Sequence, residues 1–301
     1  MMESGTQQKK AVVIYHDNCA DGFGAAFIIW RRLKDTAEYI PMNYDATDEE
    51  RAALVEKCKG KVVYLVDFSF PQEVMLALMD NAEHFYWRDH HKTAFEMWLG
   101  HYEREMKYEN CNFNHDILLD DNRSGAMLAQ DMFGDSWTKD LAAYIDDRDR
   151  WQFKLLDTKA VGAGLWAQRP WSFEQWETFC TDEGLAHLKQ IGNILLQSEA
   201  AQVASSMKSA RKVGINGTFG VAVNSNLNIS ELGNKLCEDP EVHFALIWYM
   251  DDKGSIRCSF RSKGSKGSND VSAIAKRFGG GGHMNAAGCS VDVDTLLNWF
   301  V

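Results

Sequence analysis

Phe85-Tyr86-Trp87-Arg88-Asp89-His90-His91 sets an apolar run against one acid and two adjacent imidazoles. The aromatic part reads as the end of a buried strand, and the ionisable part as what that strand delivers at its exit. Neutral imidazole ligates divalent metals, and a neighbouring carboxylate either ligates too or fixes the ring tautomer. Taken alone, the triplet suits a solvated loop end as well as a metal site. The flanking chain separates the two.

Upstream, Lys61 to Val66 is a second compact strand, and it runs into Asp67-Phe68-Ser69. Ala11 to Tyr15 is a third, ending at His16-Asp17-Asn18-Cys19-Ala20-Asp21-Gly22. Tyr39 to Asn43 is a further short strand. Helical spacing lies between them: Phe23, Phe27, Trp30 and Leu33 mark one face, Thr47-Asp48-Glu49-Glu50 opens a helix with acids in its first turn, and Pro71 opens another that runs to about Met79. Strands alternating with helices predict βαβ units and a mostly parallel sheet. In such a sheet the C-terminal strand ends share one edge, where these folds bind ligands. Three strands ending in carboxylate or imidazole make a metal site the better reading.

Downstream, a polar loop spans His101 to Asn114. Ile117-Leu118-Leu119 is a strand, and helices are predicted over Ala126 to Met132 and Trp137 to Ile145. The second helix ends at Asp146-Asp147-Arg148-Asp149-Arg150-Trp151, either plain surface or a fourth element of the site. Trp166, Trp171, Phe173 and Trp176 cluster next; they could stack bases, but core is the favoured reading. Asp182 to Lys212 is mostly helix-forming and is expected to connect two domains. Beyond it, Val213 to Val223 reads as a hairpin around Asn216-Gly217. Ile229 to Leu236 and Val271 to Arg277 are helical, and His243 to Met250 and Ser255 to Arg261 are strands. Cys289 to Val293 and Thr295 to Phe300 are the last strand and helix. Gly279-Gly280-Gly281-Gly282-His283 is costly in a folded domain. A backbone that lets its N–H groups cradle an anion would explain it. Lys253 to Arg277 holds seven basic residues (Lys253, Arg257, Arg261, Lys263, Lys266, Lys276, Arg277) and one acid, Asp270, in a chain of net charge −11. That is where a phosphate would go.

Composition narrows the function classes. The 301 residues favour two domains, and 45% hydrophobic with 25% charged residues suits a soluble globular protein. The polar Met1 to Lys10 has no apolar region behind it and is not expected to be a signal peptide, and no run reaches membrane-spanning length. Seven scattered cysteines without CxxC read as reduced thiols of a cytoplasmic protein. The acidic balance argues against coating long duplex DNA, but not against a short phosphate-bearing substrate.

The motifs together resemble the DHH phosphoesterases, in the subfamily with a C-terminal DHHA1 domain, on the branch near nanoRNases and related phosphodiesterases. The resemblance rests on His16-x-x-x-x-Asp21-Gly22, Asp67-Phe68-Ser69, Asp89-His90-His91, Asp146 to Trp151 and Gly279 to Gly288 (GGGGHMNAAG), in the family's order. It implies an α/β fold: a DHH catalytic domain over 1–185 with a mostly parallel sheet flanked by helices, a long connecting helix over 186–212, and a smaller α/β DHHA1 domain over 213–301. The active site would lie in the interdomain cleft.

It also implies two metal ions, usually manganese, with magnesium or cobalt as substitutes. His16, Asp21, Asp67, His90 and Asp147 would be the ligands, Asp67 bridging both ions. Asp147 is preferred over Asp146 and Asp149 because Trp151, four residues on, matches the family's aromatic. His91 would contact the scissile phosphate, Asp89 would ligate or orient its neighbours, and Asp67, Asp89 and His91 would carry catalysis. Arg261, Gly280, Gly281, Gly282 and His283 would hold substrate phosphates. The expected activity is hydrolysis of short single-stranded oligonucleotides to mononucleotides. The alternatives are hydrolysis of small signalling nucleotides (linear or cyclic dinucleotides, pAp), hydrolysis of polyphosphate, and a catalytically silent nucleotide-binding module.

One position departs from the pattern: Cys19 stands where many members have an Asp. A neutral thiol is a poor manganese ligand. Cys19→Asp is therefore expected to keep or raise manganese occupancy, measured by elemental analysis, while Asp67→Ala abolishes activity. An inactive, metal-free Cys19→Asp protein would show that the thiol is required.

Overall fold

The computed structural model describes residues 10–105, 114–215, 217–263 and 270–301. The first five residues of the expected polar loop, 101–105, instead continue a helix, while 106–113 with Cys111, Asn216 of the Asn-Gly turn and Lys266 of the basic stretch lie outside the described residues. The chain divides into two compact units between Leu195 and Leu196.

The first unit is built on five strands: β1 (Ala11–His16), β2 (Ala37–Met42), β3 (Val62–Val66), β4 (His84–Asp89) and β5 (His115–Leu119). All pair in parallel, in the order β2-β1-β3-β4-β5. Both faces are covered, so the strands read as continuous apolar runs. Val13, Tyr15, Tyr64 and Val66 face one core, shared with α1 (Ala20–Leu33), α5 (Gly125–Phe133), α6 (Lys139–Asp149) and α8 (Phe173–Phe179). Val12, Ile14, Val63, Leu65, Phe85 and Trp87 face the other, with α2 (Asp48–Cys58), α3 (Gln72–Asn81) and α4 (Lys92–Glu105). This strand order reverses direction between β1 and β3, and doubly wound sheets bind ligands outside the strand ends at that point. His16 and Asp67 end the two strands that flank it.

The caps follow from local chemistry. Thr47 accepts the Glu50 amide while Glu50 accepts the Thr47 amide, a closed capping box that starts α2. Ser124 caps α5 through the Met127 amide. In the aromatic cluster, Trp176 is fully buried against Phe23 and Phe27, and Trp171 and Phe173 pack around it. Trp166, at the end of α7 (Thr158–Ala167), stands apart at 55% exposure.

The second unit carries a six-stranded mixed sheet, ordered β10-β11-β9-β8-β7-β6. Its strands are β6 (Arg211–Ile215), β7 (Thr218–Asn224), β8 (Ala245–Met250), β9 (Ile256–Arg261), β10 (Gly281–His283) and β11 (Ala286–Val291). Only β7 and β8 pair in parallel. Helices α11 (Val271–Lys276) and α12 (Val293–Leu297) close one core over Phe244, Leu246, Phe260 and Trp299. Helix α10 (Ile229–Leu236) closes the other over Val223, Ala245 and Ile247. Ile215 pairs directly with Thr218, and Gly217 between them has φ +79°, as a tight hairpin turn demands.

The predicted connecting helix is α9 (Asp182–Met207), and the boundary between the units falls inside it. Its first half is locked to α7 by two glycines. A Cβ on Gly192 would sit 1.8 Å from the Ala160 carbonyl oxygen, and one on Gly164 would sit 2.2 Å from that of Leu188. Backbone cannot yield there as a side chain would. Gly192→Ala should therefore destabilise the protein by about 1–3 kcal/mol through overpacking, although alanine gains about 1 kcal/mol of helix propensity over glycine. Urea unfolding reads the difference, and an unchanged or raised midpoint would show that the α7–α9 contact is not tight.

Candidate metal centre

The three strand ends converge. His16 is the last residue of β1, and Gly22 in the first turns of α1 lets that helix close on it: a Cβ on Gly22 would sit 2.4 Å from the His16 carbonyl oxygen. Asp67 follows β3 with φ +54°, a strained conformation for a residue other than glycine. Three contacts hold it there. Its amide donates to the Arg88 carbonyl at 2.9 Å, the Trp87 indole donates to the Phe68 carbonyl at 3.0 Å, and Gly125 abuts its Cβ so closely that a side chain at 125 would stand 2.5 Å away. Asp89 is the last residue of β4 and is fully buried.

His90 Nε2 is the hub. It lies 3.1 Å from Asp67 Oδ1, 3.4 Å from Asp21 Oδ2 and 3.6 Å from Asp149 Oδ2. His16 Nδ1 faces Asp67 Oδ2 at 3.7 Å, beyond hydrogen-bonding distance. Two donor sets result, each with its ligand atoms within 4.8 Å of one another: His16, Cys19 and Asp67; and Asp21, His90 and Asp149. Asp67 belongs to the first set and touches the second through His90.

Asp89 accepts the His91 Nδ1 proton at 2.7 Å and also the amides of His90 and His91. These three bonds to one oxygen make it the residue that orients His91. A carboxylate oxygen of Asp89 also lies within 4.8 Å of ligand atoms of Asp67 and His91.

Of the sequence-predicted ligands, His16, Asp21, Asp67 and His90 come together. Asp147 does not. Its carboxylate accepts the Lys154 amide at 2.8 Å, the Leu155 amide at 3.0 Å and the Thr158 hydroxyl at 2.5 Å, tying down the loop that leads to α7. Residues two apart on a helix point to opposite sides, and Asp149 is the one turned toward His90. The aromatic that favoured Asp147 belongs to the same loop: Trp151 adopts φ +56° and stacks 4.6 Å from the Arg148 guanidinium.

Tyr44, missed in the sequence, packs 5.2 Å from His16 and 4.6 Å from Phe68. It lies just past β2 at the same sheet edge, but a rule keyed to carboxylate and imidazole at strand ends passes over a tyrosine.

The electrostatics are those of a site waiting for cations. Burial acts to raise the Asp67 pKa, but His16, His90 and His91 outweigh it and hold the carboxyl well below its usual range. Asp21 goes the other way, pushed up by burial and then by the charges of Asp67 and Asp149, even though the Gly125 and Ala126 amides at the start of α5 donate to it. Burial would lower His90, yet the surrounding acids raise it to about 11. His91, likewise opposed by burial, is raised by Asp89 and Asp67 to about 9. Burial and the charges of Asp67, Asp149 and Asp21 lift Cys19 well above its ordinary value, keeping it a neutral thiol. His16 Nδ1, Asp67 Oδ2 and Asp89 Oδ2 are buried without a hydrogen-bond partner. Native proteins rarely leave such atoms unpaired, and oxygen and imidazole donors facing one another suit hard or borderline divalent ions. The residues fit a metal centre.

In the second unit the register sets Arg261, Ala286 and His283 in one row across β9, β11 and β10, with the small Ala286 between the two larger side chains. Directly paired residues share a face, so Arg261 and His283 project to the same side, about 10 Å apart. Arg261 donates to Ser230 Oγ at 3.0 Å and to the Phe260 carbonyl. The glycine run is not a free cradle. The Gly279 and Gly280 amides close α11 by donating to the Lys276 and Ala275 carbonyls, and Gly281 and Gly282 belong to β10. Close packing also explains the glycines, since a Cβ on Gly280 would lie 2.0 Å from the Gly288 carbonyl oxygen and one on Gly282 2.6 Å from that of Ala286. The predicted anion contact at the Gly280 amide is therefore corrected: that donor is already used.

The DHHA1 domain model matches residues 216–298. An uncharacterised protein, R106 of Acanthamoeba polyphaga mimivirus, is 30% identical over 293 residues, covering 92% of this chain and 66% of its own length. Oligoribonuclease NrnB of Bacillus subtilis (strain 168) is 45% identical over 73 residues, covering 24% of this chain and 17% of its own. The chain thus spans less than two thirds of either relative. A pGpG-specific phosphodiesterase, PggH of Vibrio cholerae, superposes with a TM-score of 0.48 at 13% identity, covering 96% of this chain and 95% of its own. With Asp89-His90-His91 at the hub of the donor cluster and the DHHA1 domain matched over residues 216–298, the chain carries a DHHA1 domain and resembles the DHH phosphoesterases.

Proposed function

We propose that this protein is a two-metal phosphodiesterase that hydrolyses short single-stranded oligonucleotides to mononucleotides and works with manganese. The observation that carries the reading is the pair of donor sets meeting at Asp67 and His90, with buried acceptors left unpaired around them. His16 and Asp67 would hold one ion, with Cys19 alongside as a neutral thiol, and Asp21, His90 and Asp149 the other. Such a pair of ions, when bound, supplies an activated water and charge neutralisation at the phosphoryl group.

The chain's own groups account for the rest. His91, held by Asp89 on its Nδ1 side, carries a proton at neutral pH because its pKa is raised to about 9. With Asp89 on its Nδ1 side, its Nε2–H would donate to a phosphoryl oxygen as charge builds there. Arg261 and His283 would bind a further substrate phosphate from the second unit. The name of the Bacillus subtilis relative, an oligoribonuclease, supports the substrate class. Among the described residues no helix is long and apolar enough to cross a membrane, and the described cysteines are all free thiols, which supports the cytoplasm as the compartment.

The test is turnover of labelled dinucleotides, longer oligomers, cyclic dinucleotides, pAp and polyphosphate with manganese, against Asp67→Ala. Loss of a label only from cyclic dinucleotides, pAp or polyphosphate would replace the oligonucleotide reading, and no manganese-dependent turnover of any of them would leave a silent binding module. The two histidines should fail differently. His90→Ala is expected to lose bound metal and activity together. His91→Ala should retain metal by elemental analysis and lose about 10²–10⁴-fold in kcat, the usual worth of a positioned proton donor. Loss of metal in both would remove the distinction between their roles.

The pH dependence of the metal-free protein follows from His90. Its folded value, about 11, lies above the unfolded value of about 6.5. The stability it contributes is complete below about pH 6.5 and is lost as pH rises toward 11. Asp67, whose pKa is lowered, contributes evenly across this range and loses its contribution only as pH falls into the acid region. In chelator, the melting temperature should therefore fall between pH 7 and 10, and fall less in His90→Gln. Parallel curves for the two proteins would show that His90 is not charged in the metal-free cluster.

A further inference from the structure

Trp166 is left over from both the core and the metal centre. Its neighbours Trp171, Phe173 and Trp176 are packed into the first unit, whereas Trp166 stays 55% exposed at the end of α7. A tryptophan is the most expensive side chain to leave in water, and this one is not left loose. The Arg169 guanidinium lies 4.1 Å from its ring centroid and 5.0 Å from that of Trp171, bridging the exposed ring to the packed one. Trp171 meets Trp166 edge-on at 6.0 Å and is itself fixed by its indole N–H donating to the Leu165 carbonyl at 2.8 Å. The ring is therefore held in a set orientation with much of its surface still presented to solvent.

The platform is also tied to the metal centre. Arg169 donates to the Asn18 side chain, and Asn18 stands in the left-handed region at φ +55°. Asn18 in turn donates to Asp17, which also receives Asn43 from the end of β2. The next residue, Cys19, belongs to the first donor set. One stacking contact, one hydrogen bond and one residue step thus separate the Trp166 ring from a side chain of the cluster. A planar cation against an indole, linked in this way to the candidate metal centre, offers both an aromatic face and a positive charge. Those are the two features with which proteins grip single-stranded nucleic acid without reading its sequence.

We propose that Trp166, positioned by Arg169, is a stacking subsite for a nucleobase of the substrate. It rests on the phosphodiesterase reading and adds to it a source of preference for base-bearing over base-free phosphodiesters. Because every base has a flat face, the subsite would favour nucleotides as a class and discriminate weakly among the four. It would act on binding, since the base is remote from the reacting phosphorus.

The test uses the manganese-loaded full chain and two substrates, a dinucleotide and the same dinucleotide lacking the base at one residue, tried at each position in turn. In Trp166→Ala the ratio of kcat/KM for the complete over the base-free dinucleotide should fall about tenfold at one of the two positions, with the change carried by KM. Trp166→Phe, which keeps an aromatic face, should recover most of the ratio. Equilibrium binding of a labelled dinucleotide to the His91→Ala protein, with and without Trp166→Ala, provides a readout independent of turnover and should show the same loss. A ratio that Trp166→Ala leaves unmoved at both positions would overturn the subsite while leaving the phosphodiesterase standing. Wild-type protein that hydrolyses neither substrate and binds neither would overturn both.

Discussion

Everything in the first unit is arranged around one strained aspartate. Asp67 leaves β3 in the left-handed region and puts one carboxylate oxygen toward His16 and the other toward His90. A non-glycine residue in that conformation costs on the order of 1 kcal/mol or more, and the surrounding structure must enforce it. The enforcement comes from β4 through the Arg88 carbonyl and from α5 through Gly125, which has no Cβ where Asp67 needs the room. A carboxylate aimed in this way can be shared by two ligand sets. Relaxed into the extended conformation, it could not face both imidazoles.

The same economy appears at Asp21, which performs two tasks with one side chain. It receives the first two amides of α5, so it anchors that helix, and it presents an oxygen to His90. Helix α5 in turn holds Gly125 against Asp67. The positions of the two carboxylates are therefore mutually dependent: the helix that Asp21 fixes is the one that keeps Asp67 in place. A change at either would be felt in both donor sets, which makes the site a single packed object instead of a list of independent ligands.

Much of this could be read from the residues. The compact apolar runs, β-branched before His16 and Asp67 and aromatic before Asp89, announced a parallel sheet with its chemistry on one edge, because a strand buried on both faces has a distinctive composition. What could not be read was side-chain direction within a helix. Asp146, Asp147 and Asp149 all lie in the last turns of α6, and which one turns inward depends on how that helix packs against α5 and α7. Trp151 pointed to Asp147 for a reason unconnected with metals: both belong to the closure of the following loop. The glycine run misled in a similar way. Four glycines suggest a ligand cradle, but close approach of two strands of one chain imposes the same requirement, and Gly280 and Gly282 answer to that. The Arg261 and His283 row was hidden because it depends on the register of three strands whose order in the sheet, β9-β11-β10, is not their order in the sequence.

Charge accounting bears on how a chain of net charge −11 would handle the polyanion proposed as its substrate. Asp21, Asp67, Asp89 and Asp149 place four carboxylates around one cluster. Without cations they are tolerable only because His90 and His91 hold protons and Asp21 is pushed toward its neutral form. Two divalent ions would balance those four carboxylates and release His90 from that duty, so the cluster itself would present little net field to a phosphodiester, while the surface around it stays acidic. The attraction for substrate must then come from elsewhere: the basic stretch of the second unit for phosphate, and an aromatic surface such as Trp166 for the bases. Recognition built this way would weaken with length, because each further phosphate would meet an acidic surface with no ion to neutralise it. Preference for short substrates would then be a consequence of the charge distribution itself, requiring no steric block, and it would relax as rising salt screens the exposed acids while leaving the buried cluster untouched.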